Sequence, residues 1–307
     1  MLRQIAIRMI EAFFALLLMS LVIFLLSRVI GDPVALLLSD HATAEDRDAL
    51  VAQLGLDRPL MVQYLSFLGD ALRGDFGTSV TAGQQDALEK VLSRLPASLR
   101  LAGVALAMTL VLGVLLGVLA AVSRGTPLDI MVRLLALLGQ SVPSFWLGIV
   151  LIYFVSVRLG LLPTSGIGTW KHYILPAATM GLFTLAAVTR LVRASMLDAL
   201  YSEYVKLARI KGVSEAIVIW RHALSNSLIP VVTFMGTFFA TMITGAVIVE
   251  TVFAWPGIGR LAYEAILARD FPVIQTVVLV ITALFILANL VVDLLYLVID
   301  PRMRGKR

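Results

Sequence analysis

The fold class is decided by LAGVALAMTLVLGVLLGVLAAV (101–122), a stretch that carries no charged residue. A helix needs roughly 20 predominantly apolar residues to cross the hydrocarbon core of a bilayer. Similar uncharged runs occupy 13–26 and 273–292. Because lipid offers unpaired backbone groups no hydrogen-bonding partner, such runs cross a membrane as helices. The sequence therefore predicts an all-α integral membrane protein.

Composition supports this prediction and excludes other classes. Charged residues make up 15% of the chain and hydrophobic residues 60%, whereas soluble domains usually carry about a quarter charged residues. The net charge of +5 does not indicate nucleic acid, because the basic residues lie beside apolar runs and form no patch interleaved with aromatics. The chain has no cysteine, which excludes disulfides and thiolate metal sites.

Six transmembrane helices are predicted, over residues 9–29, 99–122, 131–157, 173–193, 228–249 and 273–298. The loops on one side carry fourteen basic residues: Arg3, Arg8, Arg124, Arg133, Arg190, Arg193, Lys206, Arg209, Lys211, Arg221, Arg302, Arg304, Lys306 and Arg307. The short loops on the other side carry Arg158, Lys171, Arg260 and Arg269. Because basic loops stay on the cytoplasmic side, both termini are predicted to be cytoplasmic.

The spans divide the chain into three predicted parts. An N-terminal transmembrane helix covers 1–30, an external segment covers 31–97, and a five-helix core covers 98–307. The external segment holds ten acidic and five basic residues, and a segment of this length is translocated largely regardless of charge. Its apolar residues alternate with polar ones, which predicts short amphipathic helices on the membrane face.

The loop 194–227, between the fourth and fifth spans, predicts two helices with a glycine between them. Tyr204 to Lys211 can form the first helix. Gly212 suits the left-handed residue that ends a helix, and Ser214 can cap the next one. Such a segment is a stiff lever on the cytoplasmic surface. The alternative interpretation is a solvated amphipathic loop.

Two sequence motifs, in this loop and just after it, resemble the EAA signature of binding-protein-dependent ABC importer permeases. They are EYVKLARIKG (203–212) and HALSNSLIP (222–230). They are most similar to the dipeptide, oligopeptide, nickel and glutathione branch, although Lys206 replaces the first acidic residue of the general signature. Further sequence motifs that resemble those of that branch occur in the same order along the chain: RVIGDP (28–33), LGLDRPLMVQYLSFLGDALRGDFGTS (54–79), SVPSFWLG (141–148), ETVFAWPGIGR (250–260), RDFPVIQ (269–275) and DPRMR (300–304).

The resemblance implies a type I ABC importer permease fold in the bacterial inner membrane. It implies a second, homologous permease subunit, two ABC ATPase subunits, and a periplasmic or lipid-anchored substrate-binding protein. ATP and Mg would bind the ATPases, so this chain would be no enzyme, and it has no Gly-x-x-x-x-Gly-Lys-Ser/Thr phosphate loop. The coupling segment would be 198–230, with contacts to the ATPases from Tyr204, Ala208, Lys211, Gly212, Arg221, His222, Leu224, Asn226 and Pro230.

A polar lining of the substrate passage is one interpretation of Gln140, Ser141 and Ser144, which flank Pro143. The other is that the serines bond carbonyls freed by the proline. A second polar stripe runs along the fifth span at Thr233, Thr237, Thr241 and Thr244. It could line the passage, as Thr233 and Thr237 in particular are expected to do, or it could be a helix-packing surface.

An outer gate and a landing surface for the binding protein are predicted at Glu250, Phe253, Trp255, Pro256 and Gly257. This assignment follows from the family resemblance and the position after the fifth span. The alternative is an interfacial aromatic anchor.

Two further features lie inside spans. Gly113 and Gly117 are spaced to let another helix approach closely, which predicts packing. Asp293 is an intramembrane carboxylate, so an ion pair with Arg302 or Arg304 and a proton relay are both open.

Other function classes have less support. The histidines His41, His172 and His222 are scattered, so no metal site is predicted. A secondary carrier would need buried charge in several spans, and an intramembrane enzyme would need a catalytic motif that the sequence lacks. Short peptides are the first expected substrate, with nickel chelates and glutathione as alternatives.

Overall fold

In a computed structural model the chain is described over residues 2–30, 43–53, 55–81 and 85–299. These residues are mostly helical. The α-helices are α1 (Leu2–Ile30), α2 (Ala44–Gln53), α3 (Leu60–Leu72), α4 (Ala87–Val122), α5 (Pro127–Ser141), α6 (Ser144–Leu151), α7 (Lys171–Leu200), α8 (Glu203–Ile210), α9 (Glu215–Ile217), α10 (Leu224–Val252), α11 (Ile258–Leu267) and α12 (Phe271–Ile299). Two π-helical segments, Ile152–Arg158 and Val218–Ala223, continue α6 and α9.

Four helices are each long and apolar enough to cross a membrane: Ile7–Val29, Ala87–Val122, Lys171–Leu200 and Phe271–Val291. Two bent pairs raise the number to six if each pair is one span. The pairs are Pro127–Ser141 with Ser144–Arg158, and Glu215–Val232 with Phe234–Ile243. The all-α membrane class is confirmed, while the count of six spans and the cytoplasmic termini stay predictions.

The third predicted span, 131–157, is not one kinked helix but two helices. Helix α5 ends at Ser141, α6 begins at Ser144, and their axes differ by 109°. Val142 and Pro143 between them have extended backbone, with ψ of 124° and 134°. Pro143 lacks the N–H that would continue the helical hydrogen bonding, and the helix axis changes direction at this point.

Within the described residues, contacts divide the chain into two compact units. The first draws on Met1–Ala97 and Pro256–Leu287, and the second on Ser98–Trp255 and Ala288–Arg307. In the first unit α3 packs on α1, where Ser20 and Tyr64 share a hydrogen bond of 2.9 Å between their hydroxyls. Two short helices, α2 and α3, lie in the segment that the sequence predicts to be external.

The first unit also contains a buried carboxylate that joins the 79–81 loop to the start of α12. Asp270 accepts hydrogen bonds from the hydroxyls of Ser79 at 2.5 Å and Thr81 at 3.3 Å. Lys90 Nζ lies 3.8 Å from the same carboxylate. Beneath this network Val91, Leu261 and Val273 form part of one hydrophobic cluster.

The second unit is built around α7. A Cβ at Gly113 would lie 2.8 Å from Val188 Cγ1, and one at Gly117 would lie 2.6 Å from Val192 Cβ. Both distances are shorter than real Cβ contacts, so α4 approaches α7 too closely for any larger residue. The predicted glycine packing face is confirmed.

Several predictions fall outside the described part of the chain. They concern residues 31–33, His41, the side chains of Thr233, Thr244 and Asp293, and residues 300–307.

Candidate functional site

Residues 203–230, which we call the handle, lie in the second unit and run from α8 to the first residues of α10. The backbone of Gly212 has φ of +76°, the left-handed conformation predicted for it. Ser214 occupies the N-cap position of α9, but its side chain makes no capping hydrogen bond. That part of the capping prediction is wrong, and a different contact holds the two helices together.

That contact is an ion pair across the turn. Arg209 Nε donates to Glu215 at 2.6 Å and its Nη2 to the other carboxylate oxygen at 3.3 Å. The third guanidinium nitrogen, Nη1, lies 3.3 Å from the carbonyl of Leu200, at the end of α7. A planar guanidinium that bonds three oxygens fixes direction as well as distance. The handle is therefore a folded unit, not a solvated loop.

Three of the predicted coupling residues meet on one side of the handle. Asn226 Nδ2 donates to Tyr204 Oη at 3.3 Å and to the carbonyl of His222 at 3.0 Å. Val205 has none of its surface exposed and packs the buried face of α8 against the rest of the protein. Leu224 is also buried, so it packs in the core and cannot contact a partner directly.

The outer side of the handle exposes apolar and basic residues together. Ile210 is 80% exposed, and Leu207, Ile217 and Trp220 are each about half exposed. Lys211 and Arg221 are exposed, Gly212 lies between them in sequence, and Ala208 and Pro230 are half-buried. Exposed apolar side chains on one segment mark a contact with another protein or with the membrane.

Of the predicted passage residues, Ser144 lines a cavity in the second unit. This cavity, of about 250 Å³, lies among α5, α6, α7 and α10. Gln140, Ser141 and Thr237 are not part of its lining, and Ser141 instead donates to the carbonyl of Leu137. Thr241, a member of the predicted polar stripe on the fifth span, lines it as well, and so do Thr179 and Thr184, which the sequence did not indicate.

Burial of three side chains argues against the predicted landing surface at 250–257. None of the surface of Glu250 is exposed, and it accepts a hydrogen bond of 2.5 Å from Ser98. Phe253 and Trp255 are buried too, and Trp255 packs edge-on against Tyr173. Buried side chains cannot receive another protein, so these three residues form no landing surface in this structure.

The other two residues of that group are not exposed either. Pro256 is half-buried, and Gly257 is buried at the start of α11. A gating role for the five residues stays a prediction.

One ion pair in the second unit was missed by sequence reasoning. Asp129, in the first turn of α5, accepts from Arg193 Nε at 2.7 Å and Nη2 at 2.9 Å. Arg133 Nε lies 3.4 Å from the same carboxylate. Among the described residues, no three His, Asp or Glu side chains come together as a metal site would require.

Comparison with known proteins agrees with these features. Residues 113–305 match the family model described as binding-protein-dependent transport system inner membrane component, and residues 1–102 match the model of its N-terminal part. The glutathione transport system permease protein GsiC of Escherichia coli strain K12 is 41% identical over 292 residues, which are 95% of each chain. The protein of that name in Salmonella paratyphi A has the same identity and coverage.

Solved structures show the same fold at low sequence identity. A methionine ABC transporter in an inward-facing conformation matches with a TM-score of 0.59 and 18% identity, over 68% of this chain and 96% of that one. An amino acid ABC transporter solved with histidines matches with a TM-score of 0.54 and 16% identity, over 67% and 92% of the two chains. The chain thus belongs to the binding-protein-dependent inner membrane components, as an ABC importer permease of the dipeptide and glutathione branch.

Proposed function

We propose that this chain is one of two permease subunits that together form the passage of an ATP-driven importer for short peptides. The importer lies in the bacterial cytoplasmic membrane. A periplasmic or lipid-anchored binding protein delivers the peptide, and two ATPase subunits bind the cytoplasmic side. ATP hydrolysis takes place on those ATPases and not on this chain.

The handle is the observation that carries this proposal. Its outer side offers Leu207, Ile210 and Trp220 to a partner, while its inner residues belong to the core of the permease. Ala223 and Leu224 share one hydrophobic cluster with Val188 of α7. A partner that moves the handle therefore moves α7 and α10 with it, because close-packed interiors transmit displacement.

Peptides are the preferred substrate class, and glutathione is the first compound to test. Glutathione is itself a tripeptide, and the relatives that are 41% identical over 95% of this chain carry glutathione transport in their names. Nickel chelates are less favoured, since the residues that line the cavity include no His, Asp or Glu. Selectivity is expected to rest mainly on the binding protein.

The test is reconstitution of the complete importer in proteoliposomes, with the second permease, both ATPases and the binding protein. We expect ATP-dependent uptake of radiolabelled glutathione or of a labelled tripeptide. The matched control omits the ATPases and leaves every other component in place. Substrate uptake by the permeases without ATPases, or failure of the ATPases to bind this chain, would overturn the proposal.

A further inference from the structure

The cavity in the second unit lies where the chain breaks between α5 and α6. Gly139 and Val142 border it from one side of the break and Ser144 from the other, at the first residue of α6. Non-helical backbone at membrane depth is tolerated where it lines a cavity or is buried in protein. The break is therefore a candidate binding site and not only a bend.

The start of α6 brings one unpaired donor to this cavity, because Ser144, its first residue, is among the lining residues. The first bond into the helix runs from Leu147 N–H to the carbonyl of Pro143, and Pro143 at the N-cap provides no side-chain cap. The N–H of Ser144 thus has no acceptor within the described part of the chain. The start of a helix carries a partial positive charge and attracts anionic groups.

An independent feature on α7 points the same way. Thr184 lines the cavity and is 3% exposed, yet its hydroxyl makes no hydrogen bond to any residue that the structure describes. By contrast, Thr179 and Thr241 in the same lining donate to the carbonyls of Leu175 and Thr237. A hydroxyl that borders a cavity and has no protein partner is available to donate to a ligand.

The rest of the lining defines what kind of ligand fits. No acidic side chain is among the lining residues, so a bound anion would meet no repulsion there. The remaining wall is apolar and includes Leu147, Leu182 and Phe183, together with Met180 and Met242. Methionine side chains adapt to ligands of different shape. The cavity thus combines donors at one end with a tolerant apolar wall.

We propose that this cavity binds the terminal carboxylate of the transported peptide, with the N–H of Ser144 at the start of α6 and the Thr184 hydroxyl as donors. The proposal rests on the proposed function and adds a substrate subsite within this chain. It explains how a permease can hold peptides of different side chains, because each has the same terminal carboxylate. The neighbouring side chain of the peptide would lie against the apolar wall.

The test uses the complete importer in proteoliposomes and two probes, trialanine and trialanine amide. The variants are Thr184→Val and the control Thr189→Val. Thr189 also lies on α7, is 3% exposed, and has a buried hydroxyl without a partner, but it does not line the cavity. Direct binding of each peptide to the importer without its binding protein is measured beside uptake, because the binding protein can also recognise a carboxylate.

We expect Thr184→Val to weaken direct binding of trialanine by about tenfold and to leave the weaker binding of the amide unchanged. Thr189→Val should match the unaltered importer for both peptides. Equal binding of the two peptides by the unaltered importer, or equal effects of the two variants, would overturn the subsite.

A second variant covers the case in which Thr184→Val fails to assemble. Ser144→Pro removes the N–H of Ser144, at a first helical position that tolerates proline, and is expected to weaken binding of trialanine and not of the amide. An unchanged preference for trialanine would contradict the proposal. If the unaltered importer took up neither glutathione nor any tripeptide, the proposed function itself would fail. If it took up peptides but Thr184→Val changed neither binding nor uptake, only the subsite would fail.

Discussion

Arg193 of α7 donates to both carboxylate oxygens of Asp129, at 2.7 and 2.9 Å, although the two residues are 64 positions apart. Asp129 is 1% exposed, and its other bonds come from the N–H of Gly125 and the guanidinium of Arg133. The pair fixes the start of α5 against α7. Since α5 leads into the break at Pro143, it also fixes one wall of the cavity.

Replacing one partner of this ion pair should be destabilising. We expect Arg193→Met to lower the free energy of unfolding by about 1–3 kcal/mol, because the Asp129 carboxylate loses its two shortest hydrogen bonds and keeps only the N–H of Gly125 and the guanidinium of Arg133. The measurement is unfolding of the purified permease in mixed micelles by titration with dodecyl sulfate. The double variant Asp129→Leu with Arg193→Met should recover much of the loss.

The matched control for this prediction is an exposed ion pair in the same unit. Lys206 and Glu203 lie 2.7 Å apart, and both side chains are more than half exposed. Glu203→Gln should change the free energy of unfolding by less than about 1 kcal/mol. If Arg193→Met changed it no more than Glu203→Gln, the structural importance of the buried pair would be refuted.

A second prediction concerns the close approach of α4 and α7. Gly117→Ala should destabilise the permease by about 1–3 kcal/mol, because the added Cβ would lie 2.6 Å from Val192 Cβ and 2.9 Å from the carbonyl oxygen of Thr189. Gly103→Ala on the same helix is the control, since a Cβ there meets no atom within 4 Å. The same titration measures both. Equal midpoints for the two variants would contradict the packing.

Much of the fold follows from local signals in the sequence. The spans could be predicted because each uncharged run is long enough to satisfy its backbone internally. The handle could be predicted because Gly212 ends one helix through its own left-handed backbone, whatever surrounds it. Pro143 likewise signals an interruption through chemistry that is local to one residue.

What the sequence did not reveal depends on partners distant in the chain. The 109° turn at Pro143 reflects how α6 packs on α7 and α10, which no local rule specifies. Asp129, in the first turn of α5, has no neighbour in the sequence that points to Arg193. Glu250 follows an apolar span and resembles an exposed interfacial acid, yet a hydroxyl from α4 meets it in the interior. Such contacts are set by tertiary packing alone.

The exposed apolar residues of the handle should be needed for assembly with the ATPases. We expect Ile210→Ser to reduce the amount of ATPase subunit that co-purifies with the permease by about tenfold. An apolar anchor residue typically contributes over 1 kcal/mol to the free energy of binding. Leu72→Ser is the control, because Leu72 is 88% exposed on α3, far from the handle in sequence. Undiminished co-purification with Ile210→Ser would show that the handle does not bind the ATPases through this residue.

The backbone at Gly212 should be needed for coupling and not for membrane insertion. Gly212→Pro removes the N–H that bonds the carbonyl of Arg209 at 3.0 Å and forbids φ of +76°. We expect normal insertion, but more ATP hydrolysed for each substrate molecule imported. Gly212→Asn is the control, because asparagine tolerates the left-handed region and a Cβ meets nothing within 4 Å. Normal coupling in Gly212→Pro would count against a lever.

Orientation can be tested directly because the chain contains no cysteine, so a single introduced thiol has no background. Ser214 in the handle and Gln85 before α4 are both exposed, and the distribution of basic residues predicts that they lie on opposite sides of the membrane. We expect Gln85→Cys to react with a membrane-impermeant maleimide in intact cells, and Ser214→Cys to react only after the cytoplasmic membrane is opened. The reverse pattern would place the handle outside the cell, where no ATPase could reach it.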